Sequence, residues 1–267
     1  MMGELQALPD RPAEDKLAEM RRLLRSLPTQ VDQEILSRAL SDRMQRKGIL
    51  GGYDPSKESD YVWLQIDASG HHCLSLADNL DRALAPWVLG RASLEASARA
   101  AWLLDSQLTE DERTKRAIAL TLEELHAFGK KEYGEVLSKA PKGLADLDPD
   151  SLRKGVPRYT KMVELALGMG EFYGQFSAFV HSRSFAVKRA AIRARLARSA
   201  ESVDDPRVDT LVPLVIWAYG VAVWRFFQTR DLHCIELEAA LAEAGEVVGL
   251  PSRFWETRPD PGFAPPP

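Results

Sequence analysis

Apolar residues recur at helical spacing along most of the chain, and no segment shows a convincing parallel-sheet pattern. Spacings of three and four residues place side chains on one face of a helix. We therefore predict an all-α fold, a bundle of about seven or eight helices with up-down core helices. Residues 61–66 are the ambiguous stretch, because their short apolar run suits a helix and a strand equally.

The beginning of the chain predicts a helical hairpin. Apolar positions mark one helix over residues 13–27 and a second over 31–47, and Pro28 is expected to end the first. Together with a loose tail, residues 1–47 would then form an N-terminal unit packed on the main body.

Glycine and proline set the other predicted boundaries. A turn-rich connector over residues 48–57 precedes a main helical bundle over 58–250. Six prolines follow residue 250, so 251–267 is predicted to be a disordered tail. Within the bundle, the capping-box spacing of Thr109 and Glu112 predicts the start of a long helix.

Residues 86–105 are predicted to form the central helix, because they are apolar nearly all round. Arg91, Glu95 and Arg99 nevertheless stand four residues apart along one of its faces. One interpretation is a solvated ladder of ion pairs, each worth a few tenths of a kcal/mol. The other is a polar cluster inside the bundle, where each charge must find a partner.

A second polar row, Tyr173, Ser177 and His181, repeats this spacing on a later helix. Ser177 beside a histidine suits a nucleophile–base pair, and His181 suits proton transfer. A histidine at a helix end is also commonly a hydrogen-bonded core residue or a partner of the helix dipole. If the two rows face each other, the candidate catalytic cluster consists of Arg91, Glu95, Tyr173, Ser177 and His181.

This helix, predicted over residues 158–181, contains three glycines, Gly168, Gly170 and Gly174. Each costs about 1 kcal/mol relative to alanine in a helix interior. We expect close approach of a neighbouring backbone or side chain to explain them.

The formal net charge of −4 excludes a protein that is basic overall, so a nucleic-acid surface would have to be local. Residues 182–200 contain such a patch, because they include no acidic residue. Its candidate phosphate contacts are Arg183, Lys188, Arg189 and Arg193. The alternative is a solvated face balanced by acidic neighbours such as Glu238 and Glu243.

Several features predict a cytoplasmic protein without a membrane span. The N-terminus lacks the pattern of a signal peptide, and two cysteines form no disulfide framework. The strongest apolar run, residues 211–224, is shorter than the ~20 residues that a span requires. We interpret it as a buried helix.

No cofactor or metal is predicted. The segments His71–Cys73 and His233–Cys234 contain zinc-type ligands, but adjacent helical residues point about 100° apart and the usual ligand spacings are missing. The chain also lacks a phosphate loop, a dinucleotide fingerprint and a nucleophile elbow.

The order Arg91-x3-Glu95, then Trp102-Leu-Leu-Asp105, and later Tyr173-x3-Ser177-x3-His181, resembles a family of bacterial all-helical domains of unknown function. The resemblance covers roughly residues 70–230. These domains are in turn loosely similar to the HEPN superfamily, many members of which are RNases of toxin and defence systems.

The HEPN signature is an arginine, four to six residues and a histidine. The corresponding positions before His181 are Gly174, Gln175 and Phe176, so the arginine of such a site would have to be Arg91 or Arg183.

We therefore predict a cytoplasmic helical bundle that acts through macromolecular interaction, with a polar Arg–Glu–His core and no strong catalytic signature. RNA, another protein and a second copy of the chain are the candidate partners. Binding to a membrane is not predicted. The alternative is an HEPN-like, metal-independent endoribonuclease of a stress or defence system. An exposed His181 beside Arg91 would favour cleavage, and a buried one bonded to Glu95 would favour a structural role.

Overall fold

The computed structural model describes residues 13–38, 58–82, 84–126, 133–138, 143, 148–180, 207–232 and 234–256. Its α-helices are α1 (Ala13–Arg38), α2 (Glu58–Asn79), α3 (Ala85–Leu103), α4 (Glu110–His126), α5 (Tyr133–Ser138), α6 (Pro149–Lys154), α7 (Tyr159–Leu167), α8 (Gly170–Val180), α9 (Val212–Thr229) and α10 (Ile235–Val247). A π-helical turn, Arg207–Leu211, precedes α9, and a 3-10 turn, Phe254–Glu256, follows α10. The described residues contain no strand, which confirms the predicted all-α fold and makes 61–66 helical.

Helix α3 lies at the centre of the bundle, as its all-round apolar sequence predicts. It contacts α2, α4, α7, α8 and α9. Pro86 occupies the first turn, where a missing N–H costs little. The last turn of α3 contains no basic residue. Arginines of neighbouring helices supply positive charge at this end instead. Arg225 of α9 donates to the carbonyl oxygen of Ala101, and Arg116 of α4 to that of Trp102, which complements the negative end of the helix.

Small polar residues allow α2 and α3 to pack closely. Ser69 Oγ lies 2.8 Å from the hydroxyl oxygens of both Ser93 and Ser97, and all three residues are fully buried. Cys73 lies against Ser93, so residue numbers rise along α2 as they fall along α3. The pair is therefore antiparallel, and its buried hydroxyls satisfy one another.

The predicted break at Pro28 is wrong, because Pro28 lies inside the single helix α1. The hairpin with a turn at this position is therefore wrong as well, and residues 39–57 lie outside the described part. An interior proline costs about 3 kcal/mol. Leu24, Leu27 and Val31 continue the apolar stripe across it and are buried, which outweighs that cost.

The capping box predicted at the start of α4 is confirmed. Thr109 N–H donates to Glu112 Oε2 over 2.8 Å, and Glu112 N–H donates to Thr109 Oγ1 over 3.3 Å. The structure describes this helix from Glu110 to His126, and residues 127–132 lie outside the described part. Tyr133 and Val136 of α5 then pack with α4 in a small separate core.

The single helix predicted over 158–181 is wrong, because Gly168 divides it into α7 and α8. Gly168 is the residue after α7 and has φ +71°, the left-handed conformation that favours glycine at a helix end. Close approach explains only one of the other glycines. A Cβ on Gly170 would lie 3.0 Å from Glu164, whereas one on Gly174 would meet nothing within 4 Å.

The predicted disordered tail begins too early, because Phe254 and Trp255 of the 3-10 turn pack on the bundle. Phe254 and Trp255 are buried, and the Phe254 ring lies between α9 and α10. A Cβ on Gly220 or Gly245 would come within 2.9 Å of that ring, so both helices need glycine there. Residues 257–267 lie outside the described part.

The apolar run over residues 211–224 lies within the helical segment Arg207–Thr229, and it is the buried helix that the sequence predicted. Residues Arg207–Thr229 are long and apolar enough to cross a membrane by length and composition. Within its most apolar window 83% is buried inside the protein, as expected for a core helix.

Candidate functional site

Helices α3 and α8 bring the two predicted polar rows together. Tyr173 and Phe176 lie on the buried face of α8, and the Phe176 ring packs on Trp87 of α3 with centroids 5.6 Å apart. This apolar contact holds α8 against α3. The four-residue spacing of each row then keeps its polar side chains beside that contact.

Arg91 connects the rows through directed hydrogen bonds. Its Nε donates to Glu95 Oε1 over 2.7 Å, and its Nη2 donates to the Tyr173 hydroxyl over 3.0 Å. Nη1 lies 3.5 Å from Ser177 Oγ. The Tyr173 hydroxyl donates in turn to Glu95 Oε1 over 2.6 Å. We call Arg91, Glu95, Tyr173 and Ser177 the α3–α8 cluster.

The electrostatics of the α3–α8 cluster favour a fixed protonation state. Burial and the accepting carboxylate of Glu95 raise the pKa of Tyr173 far above its ordinary value. Burial lowers the pKa of Arg91, but Glu95 and Tyr173 outweigh it and the net shift is upward. At neutral pH the phenol therefore stays protonated and the guanidinium stays charged, so Tyr173 cannot serve as a base there.

The predicted meeting of the two rows is confirmed for the four residues of the α3–α8 cluster. The side chains of Arg91 and Glu95 are 18% and 22% exposed, so this pair is neither a solvated ladder nor fully enclosed. His181 lies outside the described residues, and its role stays a prediction. The same holds for the predicted phosphate contacts Arg183, Lys188, Arg189 and Arg193.

Arg99, the third charge of the α3 row, belongs to a different cluster. It donates to Glu124 Oε1 of α4 and lies over the Tyr159 ring of α7, 4.7 Å from its centroid. The Tyr61 hydroxyl of α2 donates to the same Glu124 oxygen over 2.7 Å. We call Arg99, Glu124, Tyr61 and Tyr159 the four-helix cluster. The sequence contains no signal for the pairing of Arg99 with Glu124, because the two residues lie on different helices.

His72 of α2 is a neighbour of the α3–α8 cluster that sequence reasoning missed. Burial and His71 lower its pKa, and the charge of Glu95 opposes that shift, so its imidazole lies within the field of this carboxylate. From the sequence alone, His72 stands out only as a zinc-type ligand. The sequence carries no signal for this proximity, because His72 and Glu95 lie on different helices.

The residues weighed as zinc ligands have other contacts. Cys73 lies 3.5 Å from Ser93 Oγ, and burial raises its pKa to about 12. Cys234 Sγ accepts the N–H of Leu237 and caps α10. His233 lies outside the described residues. Among those that are described, no three His, Cys, Asp or Glu side chains are grouped to hold a metal ion.

No family model matches the chain, and no curated protein or solved structure matches it either. The resemblance to HEPN-type bundles therefore stays a prediction.

Proposed function

We propose that this protein acts by macromolecular interaction, binding RNA through the basic segment that follows α8. The observation that carries the proposal is the charge distribution. Of the 35 lysines and arginines of the chain, six fall within residues 181–200, which contain none of the 39 acidic side chains. A basic segment on an otherwise acidic protein is the electrostatic pattern of a local polyanion site.

The α3–α8 cluster supports this proposal as an anchor. The basic segment follows the described residues of α8 directly in the sequence, and Tyr173 and Ser177 attach α8 to Arg91 on the central helix. Hydrogen bonds to charged groups are worth about 1.5–3 kcal/mol. If α8 is anchored in this way, the chain enters the basic segment from a helix that is attached to the centre of the bundle.

The chemistry of the α3–α8 cluster favours binding over catalysis. A nucleophile needs an adjacent base, whereas the partner of Ser177 among the described residues is the Arg91 guanidinium, which has no acceptor. Tyr173 donates to Glu95 and stays protonated. We also propose a cytoplasmic location, in keeping with two cysteines that form no disulfide.

Salt-dependent RNA binding tests the proposal. We expect the intact protein to bind single-stranded RNA with an affinity that falls as salt rises. The double variant Arg189→Ala/Arg193→Ala should bind more weakly and lower the slope of log K against log salt by roughly 1.4, the contribution of two phosphate contacts. The measurement is fluorescence anisotropy at several salt concentrations.

A matched control removes two arginines elsewhere. Arg22 and Arg25 of α1 have side chains that are 53% and 57% exposed and pair with surface acids. Arg22→Ala/Arg25→Ala should leave the affinity and the slope unchanged. Equal losses in both double variants, or no RNA binding by the wild type, would refute the assignment of the basic segment.

A second candidate function is HEPN-like RNA cleavage with His181 as the acid–base group. The observation in its favour is that Arg91 lies beside Ser177, four residues before His181 in the sequence. On this hypothesis purified protein degrades RNA without added metal, and His181→Ala abolishes degradation while RNA binding persists. Degradation that survives in His181→Ala would exclude this mechanism.

A further inference from the structure

Three charged side chains from separate elements converge at the start of α2, away from the α3–α8 cluster. Glu58 is the first residue of α2, Arg113 lies on α4, and Arg230 directly follows α9. Their side chains are 9%, 17% and 26% exposed. Glu58 is therefore a largely buried carboxylate between two largely buried guanidiniums. The positive end of the α2 dipole lies at the same point.

The distances within this trio are longer than those of direct pairs. Arg113 Nε lies 3.9 Å from Glu58 Oε1, and Arg230 Nη2 lies 3.7 Å from Glu58 Oε2. Charge-assisted hydrogen bonds span about 2.7–2.9 Å. Glu58 Oε1, Arg113 Nε and Arg230 Nη2 are buried and have no hydrogen-bond partner among the residues that the structure describes.

Other contacts fix both guanidiniums. Arg113 Nη1 donates to the carbonyl oxygen of Leu108 over 2.8 Å, and the Arg230 guanidinium lies over the Phe226 ring, 4.9 Å from its centroid. The two cations exceed the one carboxylate by a single positive charge. Two N–H donors and one carboxylate acceptor are thus buried without a hydrogen-bond partner in the described part of the chain, at an electropositive position, which is costly unless a further polar group satisfies them.

We propose that Glu58, Arg113 and Arg230 bind a small oxyanion that carries a proton, with inorganic phosphate as the simplest case. The oxyanion accepts hydrogen bonds from Arg113 Nε and Arg230 Nη2 and donates its own O–H to Glu58 Oε1. A carboxylate repels a fully deprotonated anion but accepts a hydrogen bond from a protonated one. Glu58 is therefore the selectivity residue of the site.

This assignment predicts discrimination between phosphate and sulfate. The two ions are similar in shape, but phosphate keeps a P–O–H group at neutral pH and sulfate keeps none. Phosphate can satisfy Glu58, whereas sulfate would leave two negatively charged groups in contact within a buried site. We expect wild-type protein to bind phosphate at least roughly tenfold more tightly than sulfate.

Calorimetric titration of the full chain with sodium phosphate and with sodium sulfate, at equal ionic strength, measures this ratio. Glu58→Gln provides an amide that donates to either ion, so the preference should disappear through a gain in sulfate affinity. Arg230→Gln should weaken phosphate binding roughly tenfold or more. Bound phosphate should also raise the melting temperature of the wild type.

Arg25→Gln is the matched control, because Arg25 is an exposed arginine of α1 and should leave both affinities unchanged. Far-ultraviolet circular dichroism checks that each variant is folded, and the gain of sulfate binding by Glu58→Gln cannot come from unfolding. Equal binding of the two ions by the wild type, or no phosphate binding at all, would overturn the proposal. Neither result would bear on RNA binding by residues 181–200.

Discussion

The α3–α8 cluster and the four-helix cluster use the same parts in different ways. In each, an arginine of α3 donates to a carboxylate, a tyrosine hydroxyl donates to that carboxylate, and the guanidinium lies near a tyrosine ring. Glu95 comes from the same helix as Arg91, whereas Glu124 comes from α4. The first cluster therefore joins two helices, and the second joins α2, α3, α4 and α7.

The four-helix cluster is therefore a structural cross-link of the bundle, whereas the α3–α8 cluster is a local attachment of α8. Removing a group from the four-helix cluster affects several helix contacts at once, so its energetic effect spreads through the bundle. Removing a group from the α3–α8 cluster affects mainly the docking of α8. The consequence of a change there is therefore expected to stay local to α8.

The largest effect is expected for Arg99→Ala. It removes a charge-assisted hydrogen bond to Glu124 and the contact with the Tyr159 ring, so the free energy of unfolding should fall by about 2–3 kcal/mol. Urea denaturation measures this value. Arg25→Ala, which removes an exposed ion pair, should change it by less than about 0.5 kcal/mol. Equal effects would mean that the four-helix cluster is not a cross-link.

Arg91→Ala should cost less, about 1–2 kcal/mol, because Glu95 still accepts the Tyr173 hydroxyl. We expect Arg91→Ala to loosen α8 more than the other helices. Amide hydrogen exchange should accelerate in α8 more than in α2 or α4, since α8 loses two contacts with the arginine. Uniform acceleration throughout the bundle would contradict the distinction between the two clusters.

Tyr173→Phe should cost about 1 kcal/mol at neutral pH. The raised pKa of Tyr173 means that its folded-state value lies above the unfolded value near 10. Its stabilising contribution is therefore complete below pH 10 and is lost as the pH rises further. Unfolding free energies measured from pH 8 upwards should fall more steeply for the wild type than for Tyr173→Phe. Parallel curves would show that the hydrogen bond from Tyr173 to Glu95 does not stabilise the folded state.

The smallest expected effect is a gain in stability, in the variant Gly174→Ala. Gly174 is exposed on α8, and a Cβ there would meet nothing within 4 Å. Gly174→Ala should therefore stabilise the protein by about 0.5–1 kcal/mol through helix propensity alone. Gly220→Ala is the contrasting variant, because its Cβ would lie 2.8 Å from the Phe254 ring, and it should destabilise. A loss of stability in Gly174→Ala would show that α8 packs more tightly than described.

The sequence by itself determined the features that depend on neighbouring residues. Helical periodicity predicted the all-α fold and the central helix α3, and residue spacing predicted the capping box of α4. The rows containing Arg91, Glu95, Tyr173 and Ser177 were also readable, because four-residue spacing on a helix places side chains on one face.

Only the tertiary structure decided which distant groups meet. Burial of leucines across Pro28 overrides its tendency to end a helix, and two glycines from different helices make room for Phe254. The pairing of Arg99 with Glu124 and the convergence of Glu58 with two arginines join residues far apart in sequence. Such contacts follow from helix packing, and spacing within a single helix does not encode the partner on another.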